Sequence, residues 1–462
     1  MSYPAVNASL TKHPMASLKE LISLSIPLIL TTLSASLLGM FDRLFLSKFS
    51  LSAWEACTAA SNPVFIFQVS FMIIASVSQA FVAHYKGANE EKKIGPLIWQ
   101  MVYFSVFSMG ITYPVSLLCT GYFAGSGVEQ EALLYFRYLS AANFLFPLGA
   151  SLASFFHGRG KNNTVLFVSI TIQIINILLD YLLIFGVKGV ISPLGIKGAA
   201  IATITAESLY CIILFFLFFQ KKYILFYNTR TSAFNLTILK EILLTGGPRA
   251  FGLMTILGSW LTASYLLIQQ GEQYLLVYTF GVTIFIFLSF INEGIGQALV
   301  TLISYFLGKN LLSHCKKAFF NALMLVGITL TLLAIPLFLF QETLISLFIE
   351  ENLSNETLKI LKESCYWIWL ICLGQGVHRI GTGFITASKD TVFYALSALI
   401  FWVTECIPVY IGIGILGWSP AKFFMINGLN ALFIGMLYLV RFFLYKNKKN
   451  QLRPIKIRLI ST

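Results

Sequence analysis

Asn176-Ile-Leu-Leu-Asp-Tyr-Leu-Leu-Ile-Phe-Gly186, followed shortly by Pro193-Leu-Gly-Ile-Lys-Gly-Ala-Ala-Ile-Ala-Thr203, reads as two greasy segments with a few polar residues set inside them. Stretches of this kind belong in a bilayer, where a helical span takes about 20 mostly apolar residues. An ionisable residue within such a span costs roughly 2.5–3.5 kcal/mol on insertion scales, so Asp180 needs a use that offsets the cost. Spacing of i, i+4 puts Asn176 and Asp180 on one helix face, where both can turn oxygen atoms toward the same cation or proton. The pattern predicts a coupling site for an ion.

The same reading extends along the whole chain. Charged residues make up 11% and hydrophobic ones 57% of 462 residues, with a mean hydropathy of +0.80. A soluble domain carries roughly 25% charged residues. Twelve apolar spans are predicted, near 20–47, 57–85, 96–121, 132–157, 164–187, 194–220, 241–270, 274–307, 317–341, 362–386, 391–417 and 421–445. The fold class is therefore an all-α integral membrane protein. Spans longer than the hydrocarbon thickness are expected to tilt or kink. The first is too long for the apolar core of a signal peptide and carries Asp42-Arg43 near its end, so it is read as retained. Seven scattered cysteines without a CxxC pair read as small packing residues.

A formal net charge of +13 raises the question of nucleic acid, which the distribution of the charge answers. Alternate connections are basic, with Lys86, Lys92, Lys93, Arg159, Lys161, Lys221 and Lys222 on one side. The other side collects Glu129, Glu131, Glu342, Glu350, Glu351 and Glu356. By the positive-inside rule both termini are expected in the cytoplasm, across a plasma membrane that is the inner membrane of a bacterium. The basic tail, 446–462, is expected to lie on anionic lipid headgroups, and no nucleic-acid partner is expected.

The polar connection 221–240 divides six spans from six, giving predicted bundles at 1–220 and 241–445. The halves echo each other. Phe81-Val-Ala-His-Tyr-Lys-Gly-Ala-Asn89 and Leu302-Ile-Ser-Tyr-Phe-Leu-Gly-Lys-Asn310 lie at an offset of 221, and Leu194-Gly-Ile196 and Leu416-Gly-Trp418 at 222. An even number of spans per half keeps both halves in one orientation, related by an axis along the membrane normal. Two pseudo-symmetric six-helix bundles around a central cavity follow, with cargo held between them. A monomer suffices for such a design.

Asp42 lies near the end of the first span, beside Arg43. Neighbours on a helix point about 100° apart, so the two need not pair. With Asn176, Asp180 and Thr203 it supplies two carboxylates, an amide oxygen and a hydroxyl. These are hard oxygen ligands, suited to Na⁺ or a shared proton and not to zinc or copper. Glu207, Glu293, Arg379 and Glu405 are taken as the remaining charges inside spans and as candidate cavity residues. Glu293 stands among glycines in Phe290-Ile-Asn-Glu-Gly-Ile-Gly-Gln297; it lines the cavity or forms a structural pair with Arg379. His378 reads as a packing histidine.

These residues resemble the multidrug and toxic compound extrusion (MATE) family of cation-coupled exporters. The resemblance runs through both halves, from Pro27 and Asp42 through Gly87 and Gly308. It is most specific between Gly158 and Thr203, in Gly158-Arg-Gly-Lys-Asn-Asn-Thr164, Asn176, Asp180, Gly186 and the Pro193–Thr203 segment. In the DinF-like branch the cation site uses an Asp on helix one, an Asn and Asp four apart on helix five, and a Thr on helix six. The resemblance carries those roles onto Asp42, Asn176, Asp180 and Thr203. Other branches depend on a carboxylate in helix seven, and Phe251–Gln270 has none. It thus implies a secondary exporter of amphipathic, often cationic, small molecules driven by Na⁺ or H⁺, with no cofactor.

A flippase for lipid-linked sugars is the alternative within the same superfamily. It calls for a basic cavity, whereas the buried charge here reads as mainly acidic: Asp42, Asp180, Glu207, Glu293 and Glu405 against Arg43 and Arg379. An enzyme is excluded by the lack of HExxH, GxSxG, P-loop or Cys/His metal motifs in any loop.

Overall fold

The computed structural model describes residues 10–123, 127–349 and 353–445. The basic tail, 446–462, and Glu350 and Glu351 lie outside the described residues. Twelve long helical elements run in chain order: α1 Leu18–Phe49, α2 Leu51–Gly87, α3 Ile94–Leu118, α4 in two pieces (Glu129–Ala141 and Leu145–His157), α5 Asn162–Phe185 and α6 Ile196–Phe218. The second half holds α7 Leu236–Ile268, α8 Glu272–Gly308, α9 Leu312–Ala334, α10 Asn355–Ala387, α11 Thr391–Val409 and α12 Lys422–Tyr445. Among the described residues ten helices are long and apolar enough to cross a membrane, and eleven if the two pieces of α4, bent by 40°, count as one span. The remaining element is α10. Its charged groups have ion-pair partners: Lys362 with Glu342 at the surface, Lys422 with Glu363 at 3.0 Å, and Arg379 with Glu293 at 2.9 Å.

Local chemistry sets the helix ends. Ser17 Oγ accepts from the Glu20 backbone N–H at 3.1 Å while the Glu20 carboxylate accepts from Ala16 N–H at 2.7 Å, a reciprocal cap that starts α1. Asn235 Oδ1 and Ser354 Oγ accept from the Ile238 and Thr357 N–H groups and so cap α7 and α10. Gly186, at φ +74, ends α5; a Cβ there would strike the Ile191 carbonyl oxygen. Large apolar side chains cover the outer faces, as Phe107, Phe167 and Phe216 do, all more than two-thirds exposed. In water such a surface would aggregate; in a bilayer it is the solvent contact.

The repeated segments at offset 221 meet each other. A Cβ on Gly87 would overlap the Tyr305 carbonyl oxygen, and one on Gly308 would overlap that of His84. The two glycines stand 221 residues apart, as do His84 and Tyr305, so α2 and α8 cross backbone-to-backbone through matched glycines. Gln79 Nε2 reinforces the crossing, donating to Thr301 Oγ1 at 2.8 Å and to the Gln297 carbonyl at 3.1 Å. The start of α1 is shared as well: Leu21, Leu24 and Leu28 join the hydrophobic core of the second half.

The connection 221–240 is an ordered strap docked on α3. Trp99 Nε1 donates to the Thr229 carbonyl at 2.9 Å, and Gln100 bridges the Ala233 carbonyl and the Asn235 N–H. Its short helix, Lys221–Tyr227, places the rings of Tyr223 and Tyr227 at 4.0 and 4.6 Å from the Arg159 guanidinium.

Candidate functional site

A cavity of about 890 Å³ opens between the halves. Asp42, Arg43, Asn176, Thr203 and Glu207 line it from the first half, and Arg249, Glu293, Gln297 and Thr386 from the second. Phe65, Met72, Ile73, Phe146 and Ile172 give the wall an apolar, adaptable character.

The i, i+4 pair on α5 is buried: Asn176 and Asp180 are both almost inaccessible. Asn176 Nδ2 donates to Asp180 Oδ2 at 2.5 Å. Asp42, from α1, brings its carboxyl group within hydrogen-bonding reach of Asp180. Two carboxyl groups in such contact must share a proton or hold a cation between them, because two bare charges at that distance in a low dielectric repel strongly. One oxygen on each, Oδ1 of Asp42 and Oδ1 of Asp180, has no donor among the described residues. Free carboxylate oxygens are the ligands a hard cation takes. Asp42 reaches the cavity itself, while the fully buried Asp180 sits behind it.

Thr203 lines the same cavity from α6, but its hydroxyl donates to the Ala199 carbonyl at 3.0 Å and forms no hydrogen bond with the other three among the described residues. Arg43 forms no ion pair with Asp42 among the described residues and is exposed at the cavity rim. Tyr135, from α4, stands beside the two aspartates and shares a hydrogen bond with Cys57. Nothing in its local sequence, Leu133-Leu-Tyr135, marks it.

The four candidate cavity residues divide. Glu207 lines the cavity from α6 and pairs with no cation among the described residues. Glu293 also lines it, held by Arg379 at 2.9 Å and by Gln297 Nε2 at 3.0 Å, so the pair and the cavity position coexist. Glu405 does not face the cavity. It is fully buried between α7, α11 and α12, accepting from Ser259 Oγ and from Asn427 Nδ2 at 2.6 Å. One partner meets each oxygen from a different helix, so Glu405 ties α7, α11 and α12 together. His378 packs against Tyr438, with both ring nitrogens lacking partners among the described residues.

The view of the buried charge as mainly acidic needs correction, because it leaves out Arg249. This arginine follows Gly246-Gly-Pro248 near the start of α7 and lines the cavity. Gly246 lets α7 approach the backbone of Ile74 on α2, which brings Arg249 to the seam between the halves. Its Nη1 donates to Thr386 Oγ1, and the Tyr394 ring lies 5.9 Å away.

Comparison with known proteins agrees with this architecture. The family model MatE matches residues 27–182 and 248–411, one segment in each half. A probable multidrug resistance protein NorM from Thermotoga maritima is 25% identical over 412 residues, covering 86% of this chain and 87% of the relative. A crystal structure of a MATE protein in a straight conformation superposes with a TM-score of 0.81 at 16% identity, over 94% of this chain and 97% of that one. A MOP superfamily transporter from Pyrococcus furiosus, whose binding pocket is described as reversed in polarity, superposes at 0.79 and 16% identity, over 95% and 99%. At these identities the structures establish a common fold.

Proposed function

Because the chain belongs to the multidrug and toxic compound extrusion family of membrane transporters, which are not enzymes, we propose that it exports amphipathic organic compounds in exchange for Na⁺ or H⁺. The observation that carries the proposal is the contact between Asp42 and Asp180 at the cavity wall, with Asn176 bonded to one of them. A proton or a sodium ion held there offsets one of the two carboxylate charges. Its release leaves a negative charge next to the cargo space, and the two species are thus bound in turn. Asp42, Asn176, Asp180 and Thr203 form the coupling set, as in the DinF-like branch. The halves 1–220 and 241–445 rock about the α2–α8 crossing, tethered by the strap 221–240. Substrate efflux from proteoliposomes under separately imposed Na⁺ and proton gradients tests the proposal. One of the two drives flux; no flux under either overturns it.

We place the protein as a monomer in the plasma membrane with both termini cytoplasmic. Tags at Asn228, in the strap, and at Asn355, at the start of α10, are expected to be labelled from opposite sides, Asn228 from the cytoplasm. Labelling of both from one side breaks the twelve-span topology.

Glu293→Gln is expected to change which compounds are exported more than whether export is coupled. The charge lost lies on the second-half cavity wall, on a different helix from either aspartate, and its removal leaves Arg379 without its carboxylate. Cationic dyes should therefore be exported less well and neutral ones normally, in an efflux panel under one fixed gradient. Equal silencing of every dye would bring the second half into the coupling step.

A further inference from the structure

One guanidinium, Arg249, and one carboxylate, Glu293, stand on the second-half wall of the cavity, with a second guanidinium, Arg379, paired to that carboxylate. Arg379 takes Glu293, at 2.9 Å. Arg249 feels the charge of Glu293 but forms no ion pair with it or with any carboxylate among the described residues. A guanidinium stays protonated under all ordinary conditions and carries five donors in a planar fork. One of them, on Nη1, goes to Thr386 Oγ1; among the described residues no other group accepts from Arg249. The first-half wall shows the complement. Glu207 is a cavity carboxylate with no ion-pair partner among the described residues. The second-half wall thus offers a guanidinium and the first-half wall a carboxyl group, neither with an ion-pair partner among the described residues.

We propose that the cavity binds amphiphiles bearing both a cationic and an anionic group, with the carboxylate or phosphonate of the cargo seated on Arg249 and its cation turned toward Glu207. The step from the unpaired guanidinium to an oxyanion rests on geometry, because a planar fork with free N–H groups matches two oxygens at once. Thr386 on one side and the Tyr394 ring on the other hold the fork in place across α10 and α11. The proposal rests on the cavity being the cargo site, and it narrows the cargo from cations in general to zwitterions.

The test uses a rhodamine with a free benzoate, which is zwitterionic, and its methyl ester, which is only cationic. Binding of each dye to the purified full-length protein is read by fluorescence polarisation, with no gradient imposed, so the coupling reading is not at stake. The wild type is expected to bind the acid more tightly than the ester. Arg249→Gln should weaken the acid by roughly ten- to hundredfold, the range a hydrogen bond to a charged group covers, and leave the ester unchanged. Arg249→Lys should keep part of the preference, and Glu207→Gln should weaken both dyes. Retained ester binding shows that the variant is folded. Equal loss of both dyes in Arg249→Gln makes the arginine a structural tie and overturns the proposal, as does a wild type that prefers the ester. Binding of neither dye by the wild type counts against the cavity as a cargo site, and the proposal falls with it.

Discussion

Asp180→Asn is expected to reduce gradient-driven export to the level of protein-free vesicles while the protein still inserts and folds. Asparagine is nearly isosteric with aspartate, and its amide can keep a hydrogen bond to Asn176 across the 2.5 Å contact on α5. What it cannot do is hold the proton or supply the charge that a sodium ion needs. The Asp42 carboxyl group would then face an amide in place of an acid, so the exchangeable species is lost and not merely weakened. The loss should fall on every substrate alike, which separates it from the Glu293→Gln pattern. Asp42→Asn is expected to do the same. Near-normal efflux by Asp180→Asn at matched expression would remove α5 from the coupling mechanism.

Gly308→Val should have the second large effect, this time on the assembly of the two halves. The side chain would enter the space held by the His84 carbonyl of α2, and backbone cannot turn aside as a flexible side chain can. Overpacking of a well-packed core costs about 1–3 kcal/mol, and displacement of a helix crossing lies at or above the upper end of that range. Gly87→Val is its counterpart, striking the Tyr305 carbonyl of α8. Each variant should lower the midpoint of thermal unfolding in detergent by several degrees or fail to accumulate. Gly110→Val, at a position with nothing within 4 Å, serves as the control. A Gly308→Val protein as stable as that control would show that the halves do not depend on this crossing.

Most spans could be placed from apolar length alone, since lipid exposure demands it on every outer face. Span twelve, predicted at 421–445, is Lys422–Tyr445. Span ten was harder, predicted at 362–386 against Asn355–Ala387, because Glu356, Lys359, Lys362 and Glu363 make its first turns look like a loop. They stay helical because Lys362 and Glu363 have ion-pair partners on neighbouring segments, which no local window contains. The contact between Asp42 and Asp180 was anticipated from spacing and family resemblance together. The burial of Glu405 was not, since Ser259 and Asn427 reach it from separate helices. Arg249 was overlooked for a different reason: a single basic residue close to the end of a span reads as a side chain reaching for the lipid headgroups. The repeat held a clue, because Pro27 and Pro248 stand at the same offset of 221 as Gly87 and Gly308, which aligns Arg249 with the buried Leu28 and not with a span end.

The central claim is that the Asp42–Asp180 pair holds the coupling ion and gives it up when cargo binds. It is tested most directly on the purified protein by adding a cationic rhodamine and recording two signals, released protons in weak buffer and displaced radiolabelled Na⁺. The wild type should release one of the two ions in proportion to the dye bound, and Asp180→Asn should bind dye but release neither. Release from Asp180→Asn equal to that of the wild type would contradict the account, because the ion would then be held elsewhere.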